Sequence, residues 1–371
     1  MKNTPINILA WLLILLVGGC VDPYRPPEVA SPNSYLVVNG FFDSAPGAPT
    51  TIRLSRTQNL ADTKAPTVET KAVVTIESQN KAIYTLAEGA AGTYTLAGVT
   101  PRTGENYRLH IRTTKGVEYF SAYVPVIQTP PIDSVSWRKE DNGVQINVNA
   151  HDATNNTRYY RWEFDETWEY YSAFTSSYEL INNQLVDRAV RVDQCWSNAS
   201  STNIMTTSTA RLSQDVVSQF PLTFIPGSSI KLGVKYSILV RQIALSQTGF
   251  DYYDQLAKIT QNIGSIFDPQ PSQITGNLYC ANNSNELVLG FFRVGSVATK
   301  RLFISRSQIP DFRAITSYES CTTDTLTLAE IRKDQPAVVT LYDMTRYLTT
   351  STYCVDCRLR GGVIKRPDFW Q

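Results

Sequence analysis

Hydrophobic and polar residues alternate with a period of two in many short segments of this chain. In "NYRLHIRT", Tyr107, Leu109 and Ile111 alternate with arginine and histidine. This period places successive side chains on opposite faces of a β-strand, so that one face is apolar and the other polar. About seven such segments lie between residues 35 and 128, a number and length typical of an immunoglobulin-like sandwich. The pattern therefore predicts an N-terminal β-sandwich over residues 35–128.

A second β-rich domain is predicted over residues 131–371. Two prolines in "QTPPIDSVSW" precede its first strand, a composition typical of a boundary between domains. In "GFDYYDQLAKITQNIGSIF" the apolar side chains instead recur at helical spacing, which predicts an amphipathic helix over residues 250–263. The predicted fold is mainly β: tandem sandwiches of the immunoglobulin or fibronectin type, with a short helical insertion in the second.

The segment "TRYYRWEFDETWEYY" has one aromatic and one charged face. The aromatic side chains of such a strand form the core of a sandwich, which is the preferred interpretation. The alternative is an exposed aromatic surface for a sugar or a peptide. Under that alternative, the ligand contacts would come from Trp162, Trp168, Tyr170 and Tyr171.

The N-terminal segment "MKNTPINILAWLLILLVGGC" predicts a lipoprotein signal peptide over residues 1–19. Lys2 precedes an apolar run of about a dozen residues, too short for a membrane span and suited to a signal peptide. Small residues directly before Cys20 indicate cleavage after Gly19 and lipidation of Cys20. Residues 20–34 are rich in proline and serine and predict a tether. The mature protein is thus expected to be anchored to a membrane by lipid.

Composition argues against several classes of function. The net charge of +1 predicts no nucleic-acid partner. The only histidines are His110, on the polar side of its strand, and His151, in the turn-like "NAHDATNN". Sequence motifs typical of hydrolases, phosphate loops and dinucleotide sites do not occur. We therefore predict no catalytic residue, no metal site and no cofactor.

The chain has six cysteines, and Cys20 is assigned to lipidation. Five remain for an oxidising compartment, so at least one has no partner within the chain. The "YCVDC" motif at Cys354 and Cys357 could serve as a redox centre, as half of a zinc site or as a structural brace. Histidines for zinc are absent nearby, and "RLRGG" begins a helix poorly. A brace is therefore preferred, in which Cys321 pairs with either Cys354 or Cys357.

Several longer stretches carry a resemblance to a known family. They include Cys195–Trp196 and the segments "GTYTLAGVTPRTGENYRLHI", "TPPIDSV", "YSILVRQIALSQTGFDYYDQL", "FDPQPSQITGNLYC", "LVLGFFRVGSVATKRLFI" and "CVDCRLRGGVIKRPDFW". Together they resemble a Bacteroidota family of outer-membrane lipoproteins catalogued only as a domain of unknown function. Genes of that family typically lie beside those of TonB-dependent outer-membrane receptors. The resemblance implies an accessory role at such a receptor and assigns no catalytic residue.

Three functions follow as expectations. The first is a non-enzymatic outer-membrane lipoprotein at the cell surface that helps a TonB-dependent receptor to capture or admit a ligand. Because Asp22 is the single acidic residue just after Cys20, the signal for surface export is weak, and the periplasmic face remains open. The second is a structural or assembly subunit of an outer-membrane complex or adhesin. The third, least favoured, is a glycan-active hydrolase that uses Asp165, Glu166 or Glu169.

Overall fold

The computed structural model describes residues 34–58, 63, 65–261, 274–316 and 318–371. The predicted signal peptide, Cys20 and the predicted tether up to residue 33 lie outside the described residues. The fold is mainly β, as the alternation predicted. Within the described residues, no helix has the length and apolar character needed to cross a membrane.

The secondary structure consists of many short strands and a few helices. The first strands are β1 (Leu36–Asp43), β2 (Thr50–Arg56), β3 (Val73–Ser78), β4 (Ile83–Glu88), β5 (Thr93–Leu96), β6 (Asn106–Arg112), β7 (Glu118–Ser121) and β8 (Val124–Ile127). The middle elements are β9 (Ile132–Glu140), β10 (Gly143–His151), β11 (Tyr159–Tyr171), β12 (Tyr178–Ile181), β13 (Gln184–Asp187), β14 (Gln194–Ser200), β15 (Met205–Ser208), β16 (Val216–Pro226), β17 (Lys235–Ala244) and helix α1 (Gln247–Gln261). The last elements are β18 (Leu278–Cys280), β19 (Val288–Gly290), β20 (Val294–Gly295), β21 (Ala298–Ser305), β22 (Asp324–Thr327), helix α2 (Leu328–Asp334), β23 (Ala337–Leu341) and β24 (Arg346–Thr350).

The N-terminal strands form a closed ring rather than the predicted β-sandwich. Strands β6, β3, β4, β5, β2, β1, β20 and β8 pair in that order, and β8 pairs again with β6. The closing strand β20 hydrogen-bonds in parallel to β1 on one side and to β8 on the other. Ring closure leaves neither β1 nor β8 with an unpaired edge. Unpaired strand edges are the usual site of unwanted pairing with other chains.

Part of the predicted second domain therefore belongs to the first sheet. Strands β18 and β19 also pair there, with β7 and β1, so that residues 278–295 complete the N-terminal unit. Gly290 allows the close approach of β19, since it has φ of +126° and a Cβ at this position would lie 2.2 Å from the Val38 carbonyl oxygen. These strands have only two or three residues, too few to show a periodic pattern.

The middle of the chain is a β-sandwich. A three-stranded sheet with the order β16-β10-β9 faces a sheet with the order β14-β11-β17-β21, in which β15 also pairs with β11. One apolar cluster fills the space between the two sheets. Tyr160, Trp162 and Phe164 of β11 contribute to that cluster, in agreement with the preferred interpretation of the aromatic strand.

Helix α1 begins three residues before the predicted start at residue 250. The Ser246 hydroxyl accepts a hydrogen bond from the Gly249 N–H at 3.1 Å, which satisfies one of the free N–H groups of the first turn. The polar residues of this turn carry no apolar signal, and so the periodicity placed the start too late. Residues 262 and 263, at the predicted end, lie outside the described residues.

A fourth sheet, with five strands in the order β13-β12-β23-β24-β22, joins a hairpin from the middle of the chain to the C-terminal segment. Cys321 forms a disulfide with Cys354, one of the two pairings that the sequence left open. Cys357 pairs with Cys195, 162 residues away, which the sequence did not indicate. Cys280 is a buried free thiol.

Candidate functional site

A cleft of about 850 Å³ separates the N-terminal ring from the sandwich. We call it the arginine cleft. Its walls come from β1 and β2 on one side and from β11, β17 and β21 on the other, while α1 and residues 289–297 close it between them. Each wall is the outer face of a sheet whose inner face is packed as a core, so the strand alternation decides which side chains reach the cleft.

The ring wall presents the outward side chains of β1 and β2. Asn39 lies opposite Arg53, and Phe41 lies opposite Thr51, in the antiparallel register of the two strands. All four residues line the cleft. Leu36, Val38 and Phe42 of β1 are instead buried in the apolar cluster inside the ring.

The sandwich wall presents the outward side chains of β11 and β17. Arg161 lies opposite Ile243, and Glu163 lies opposite Arg241. The even-numbered aromatic residues of β11 face the sandwich core, which leaves these odd-numbered residues for the cleft. Glu163 forms ion pairs with Arg161 and, at 3.7 Å, with Arg241. Its charge is therefore balanced from both sides.

Arg293 lies between the walls and is only 9% exposed. Its guanidinium carbon lies 3.8 Å from the centre of the Phe41 ring. Within the part of the chain that the structure describes, its side chain forms no hydrogen bond and no ion pair. Burial lowers the pKa of Arg293 to about 10, which still leaves the group charged at neutral pH.

Arg161 is a second incompletely satisfied arginine in the cleft. Its guanidinium lies 4.1 Å from the centre of the Tyr253 ring on α1, and one terminal nitrogen donates to Glu163. Its Nε is buried without a hydrogen-bond partner among the described residues. Buried donors are nearly always paired in proteins, so this nitrogen and Arg293 together suggest a missing acceptor.

The cleft carries an excess of positive charge. Among the described residues, its lining contains four arginines, Arg53, Arg161, Arg241 and Arg293, and the two carboxylates of Asp43 and Glu163, while Asp165 outside the lining pairs with Arg241. A group of three or more potential metal ligands does not occur among the described residues. The chemistry of this lining therefore suits a negatively charged ligand better than a cation.

The four predicted ligand-contacting aromatic residues do not form one surface. Trp162 is fully buried, and Tyr170, 4% exposed, donates its hydroxyl to the Cys357 carbonyl at 3.0 Å. The prediction of ligand contact is wrong for these two side chains. Trp168 is partly buried beneath Lys231, whereas Tyr171 is 37% exposed on the opposite face of β11. Alternation along one strand separates them.

The three carboxylates of the hydrolase hypothesis also point apart. Glu166 is buried on the inner face of β11, where it accepts hydrogen bonds from Tyr236 at 2.8 Å and from Lys231 at 2.5 Å. Asp165 and Glu169 lie on the outer face, four residues or about 13 Å apart along the strand. Glycosidase carboxyl pairs lie about 5 to 9.5 Å apart. Strand β11 therefore supplies no such pair.

Asp165 should stabilise the fold only while it is ionised. Hydrogen bonds from Arg241 lower its pKa, which otherwise lies near 3.8. The resulting stability is present above the ordinary pKa and is lost as the pH falls through the lowered one. Since the carboxylate is 39% exposed, we expect Asp165→Asn to lower the free energy of unfolding by less than about 1 kcal/mol at pH 7.

Urea unfolding at a series of pH values measures this effect. The difference between the wild type and Asp165→Asn should shrink as the pH falls below about 4. Ser200→Ala removes only a neutral donor to the same carboxylate and is the control. A difference that stayed constant down to pH 2 would show that the ion pair with Arg241 does not stabilise the fold.

Comparison with known proteins gives one family match. A family model described as "Domain of unknown function (DUF4249)" matches residues 21–301. The search of curated proteins found no match. Among solved structures, a two-domain fibronectin type III segment of chicken tenascin is 12% identical, covering 57% of this chain and 93% of that one with a TM-score of 0.17. A TM-score this low supports no statement about the present fold.

Sequence interpretation did not identify the central residues of the cleft. Arg293 occurs within "LVLGFFRVG", where it is the single charged residue of an otherwise apolar run. Arginine is seldom buried without a partner, so a lone arginine in such a run is a usable signal. Phe41 and Tyr253 carry no comparable signal, because they reach the cleft only through the packing of the ring, the sandwich and α1.

Proposed function

Because the chain belongs to the family described as "Domain of unknown function (DUF4249)", and this description names no activity, we propose a function on the basis of the arginine cleft. The protein is a non-enzymatic binding protein that captures a ligand between its ring and its sandwich. It is anchored to the outer membrane through Cys20, faces the cell surface and serves a TonB-dependent receptor. The observation that carries the binding role is the cleft itself, with its two incompletely paired arginines.

The dimensions of the cleft support this role. Pockets for small molecules usually measure about 300 to 1,000 Å³ and occur preferentially where two structural units meet. The arginine cleft meets both criteria, at about 850 Å³ between the ring and the sandwich. Its walls combine apolar side chains with a few charged ones, the composition that gives a site both affinity and selectivity.

The membrane anchor and the receptor rest on the sequence. The apolar segment before Cys20 and the small residues at the cleavage point support lipidation. Lipidation with more than one acyl chain anchors a protein firmly without a spanning helix. The receptor partner, the Bacteroidota origin and the surface location follow from the resemblance to lipoproteins encoded beside TonB-dependent receptors.

Affinity purification from native outer membranes tests the proposal. We expect the tagged full-length protein to be recovered in the membrane fraction together with a TonB-dependent receptor. Cys20→Ser should release the protein from the membrane and lose the receptor, because the lipid attachment site is gone. Recovery of the wild type without any outer-membrane receptor would contradict the accessory role.

One observation favours the second candidate, a structural subunit of an outer-membrane complex. The hairpin between β23 and β24 exposes Leu341, Tyr342 and the fully exposed Met344. Exposed apolar side chains grouped at a loop tip are suited to a protein contact. A deletion strain separates the two functions: loss of growth on one nutrient supports ligand uptake, whereas a general envelope defect supports assembly.

A further inference from the structure

We propose that the arginine cleft binds a small organic anion, whose carboxylate or phosphate group accepts hydrogen bonds from Arg293 and Arg161. This inference deepens the proposed binding function and rests on it. It assigns the chemical class of the ligand and the residues that recognise its charge.

The first reason is that Arg293 is paired only on one side. Its guanidinium face lies on the Phe41 ring, an arrangement that uses the flat face of the group. The five N–H donors of an arginine point outward along its edge, in the plane of the guanidinium. The stacking on Phe41 therefore holds the group in place while leaving this edge free to donate hydrogen bonds to a ligand.

Other sheltered arginines in the chain differ in this respect. Arg56 donates to Glu69 at 2.7 Å, and Arg108 lies 2.6 Å from Glu77. Both also lie over aromatic rings, Arg108 at 4.5 Å from the centre of Phe120. At these two positions an aromatic ring is thus combined with a carboxylate, whereas Arg301, over the Phe369 ring, donates instead to the Ser237 hydroxyl at 2.9 Å. Arg293 has the ring, but no carboxylate of the described residues lies within ion-pair distance of it, and a ligand would supply the missing anion.

The second reason is the cost of burial. A charged group taken out of water without a partner destabilises a protein, and such charges are usually paired or bound to a ligand. The low exposure of Arg293 and the buried, unpaired Nε of Arg161 place two such donors in one cleft. A carboxylate or a phosphate can accept several of these hydrogen bonds at once.

The remainder of the cleft indicates that the anion is carried on an organic body. An inorganic ion would fill only a small part of about 850 Å³. The lining includes apolar side chains of Val37, Ile243, Leu289 and Val297, and the Tyr252 ring from α1. Such a lining suits a molecule of small-ligand size with apolar or ring faces.

Isothermal titration calorimetry on the full mature chain tests the inference. The probes are inorganic phosphate, glucose 6-phosphate and trigalacturonate; glucose and the methyl ester of trigalacturonate are the neutral counterparts. We expect at least one organic anion to bind more tightly than inorganic phosphate, and its neutral counterpart not to bind. Comparing the two organic anions separates a phosphate from a carboxylate ligand.

Arg293→Met should weaken the binding of that anion at least tenfold, a loss of about 1.4 kcal/mol. Arg108→Met, outside the cleft, should leave the affinity unchanged. Without ligand, the unfolding midpoint of Arg293→Met should equal or exceed that of the wild type, because an unpaired buried charge is removed. A structural arginine would give the opposite result: a lower midpoint with unchanged anion affinity.

Three outcomes would overturn the inference: no anion binds, a neutral counterpart binds equally well, or Arg293→Met retains wild-type affinity. If Arg293→Met fails to fold, Arg293→Lys decides. This variant keeps the charge but loses the planar fork of donors, so its affinity should fall, whereas unchanged affinity would overturn the inference. Co-purification of the receptor is measured separately. Failure of anion binding would therefore not contradict the accessory role, and failure to recover a receptor would not contradict anion binding.

Discussion

Trp162→Ala is expected to lower the free energy of unfolding by about 3–5 kcal/mol, the usual cost of deleting a buried tryptophan. The indole is fully buried, and its ring centre lies 4.6 Å from that of Phe220 and 5.7 Å from that of Tyr160. Its Nε1 donates to Gln242 at 3.0 Å. The substitution therefore leaves both a large cavity and a buried amide that has lost a partner.

Tyr171→Ala is the matched control, since Tyr171 ends the same strand but is 37% exposed. We expect it to change the free energy of unfolding by less than about 1 kcal/mol. Urea unfolding, followed by tryptophan fluorescence and circular dichroism, measures both variants. Equal small effects, accompanied by loss of ligand binding in Trp162→Ala, would instead support an aromatic ligand surface on β11.

Loss of the Cys195–Cys357 disulfide is expected to be the second large effect. The bond closes a loop of 162 residues, and the chain-entropy relation gives up to about 5 kcal/mol for a loop of this length. For the 33-residue separation of Cys321 and Cys354, the same relation gives about 4 kcal/mol. We therefore expect the double variant Cys195→Ala/Cys357→Ala to be less stable than the double variant Cys321→Ala/Cys354→Ala.

The longer disulfide also holds the end of the chain against the sandwich. Beyond Cys357, Val363 and Trp196 exchange backbone hydrogen bonds. The Trp370 indole donates to Glu169 at 3.2 Å and packs against Phe303. When the bond is absent, these contacts must hold the tail alone, so we expect the tail to become accessible to proteases.

Limited proteolysis and urea unfolding of the double variants check both expectations. Cys280→Ala is the control, because Cys280 is buried but forms no disulfide. We expect this control to cost about 1 kcal/mol and to leave the tail protected. Exposure of the tail after removal of the Cys321–Cys354 bond, but not after removal of the Cys195–Cys357 bond, would show that the Cys195–Cys357 disulfide does not hold the tail against the sandwich.

The elements that depend on local patterns could be predicted from the sequence. The alternation of aromatic and charged residues in β11 correctly assigned Tyr160, Trp162 and Phe164 to a core. The helical spacing around Tyr252 correctly indicated α1, although its start at Gln247 depended on a cap that carries no apolar signal. These successes share one reason: the side-chain direction in a strand or a helix is set by neighbours close in sequence.

Contacts between distant segments could not be predicted in this way. No local pattern predicts that residues 294–295 close a ring between β1 and β8, or that Cys195 lies beside Cys357. The five cysteines available after lipidation allowed many pairings, and spacing favoured the nearer ones. The choice among them depends on which segments the packed sheets bring together, a property of the whole chain.

The arginine cleft depends both on local sequence patterns and on contacts between distant segments. The sequence by itself determined that Arg161 and Glu163 point away from the sandwich core, because a strand exposes alternate side chains on opposite faces. Only the tertiary structure decided that this outward face meets Phe41 and Arg293 across a cleft. That meeting requires the return of residues 278–295 to the N-terminal ring, because these residues bring Arg293 between the two walls.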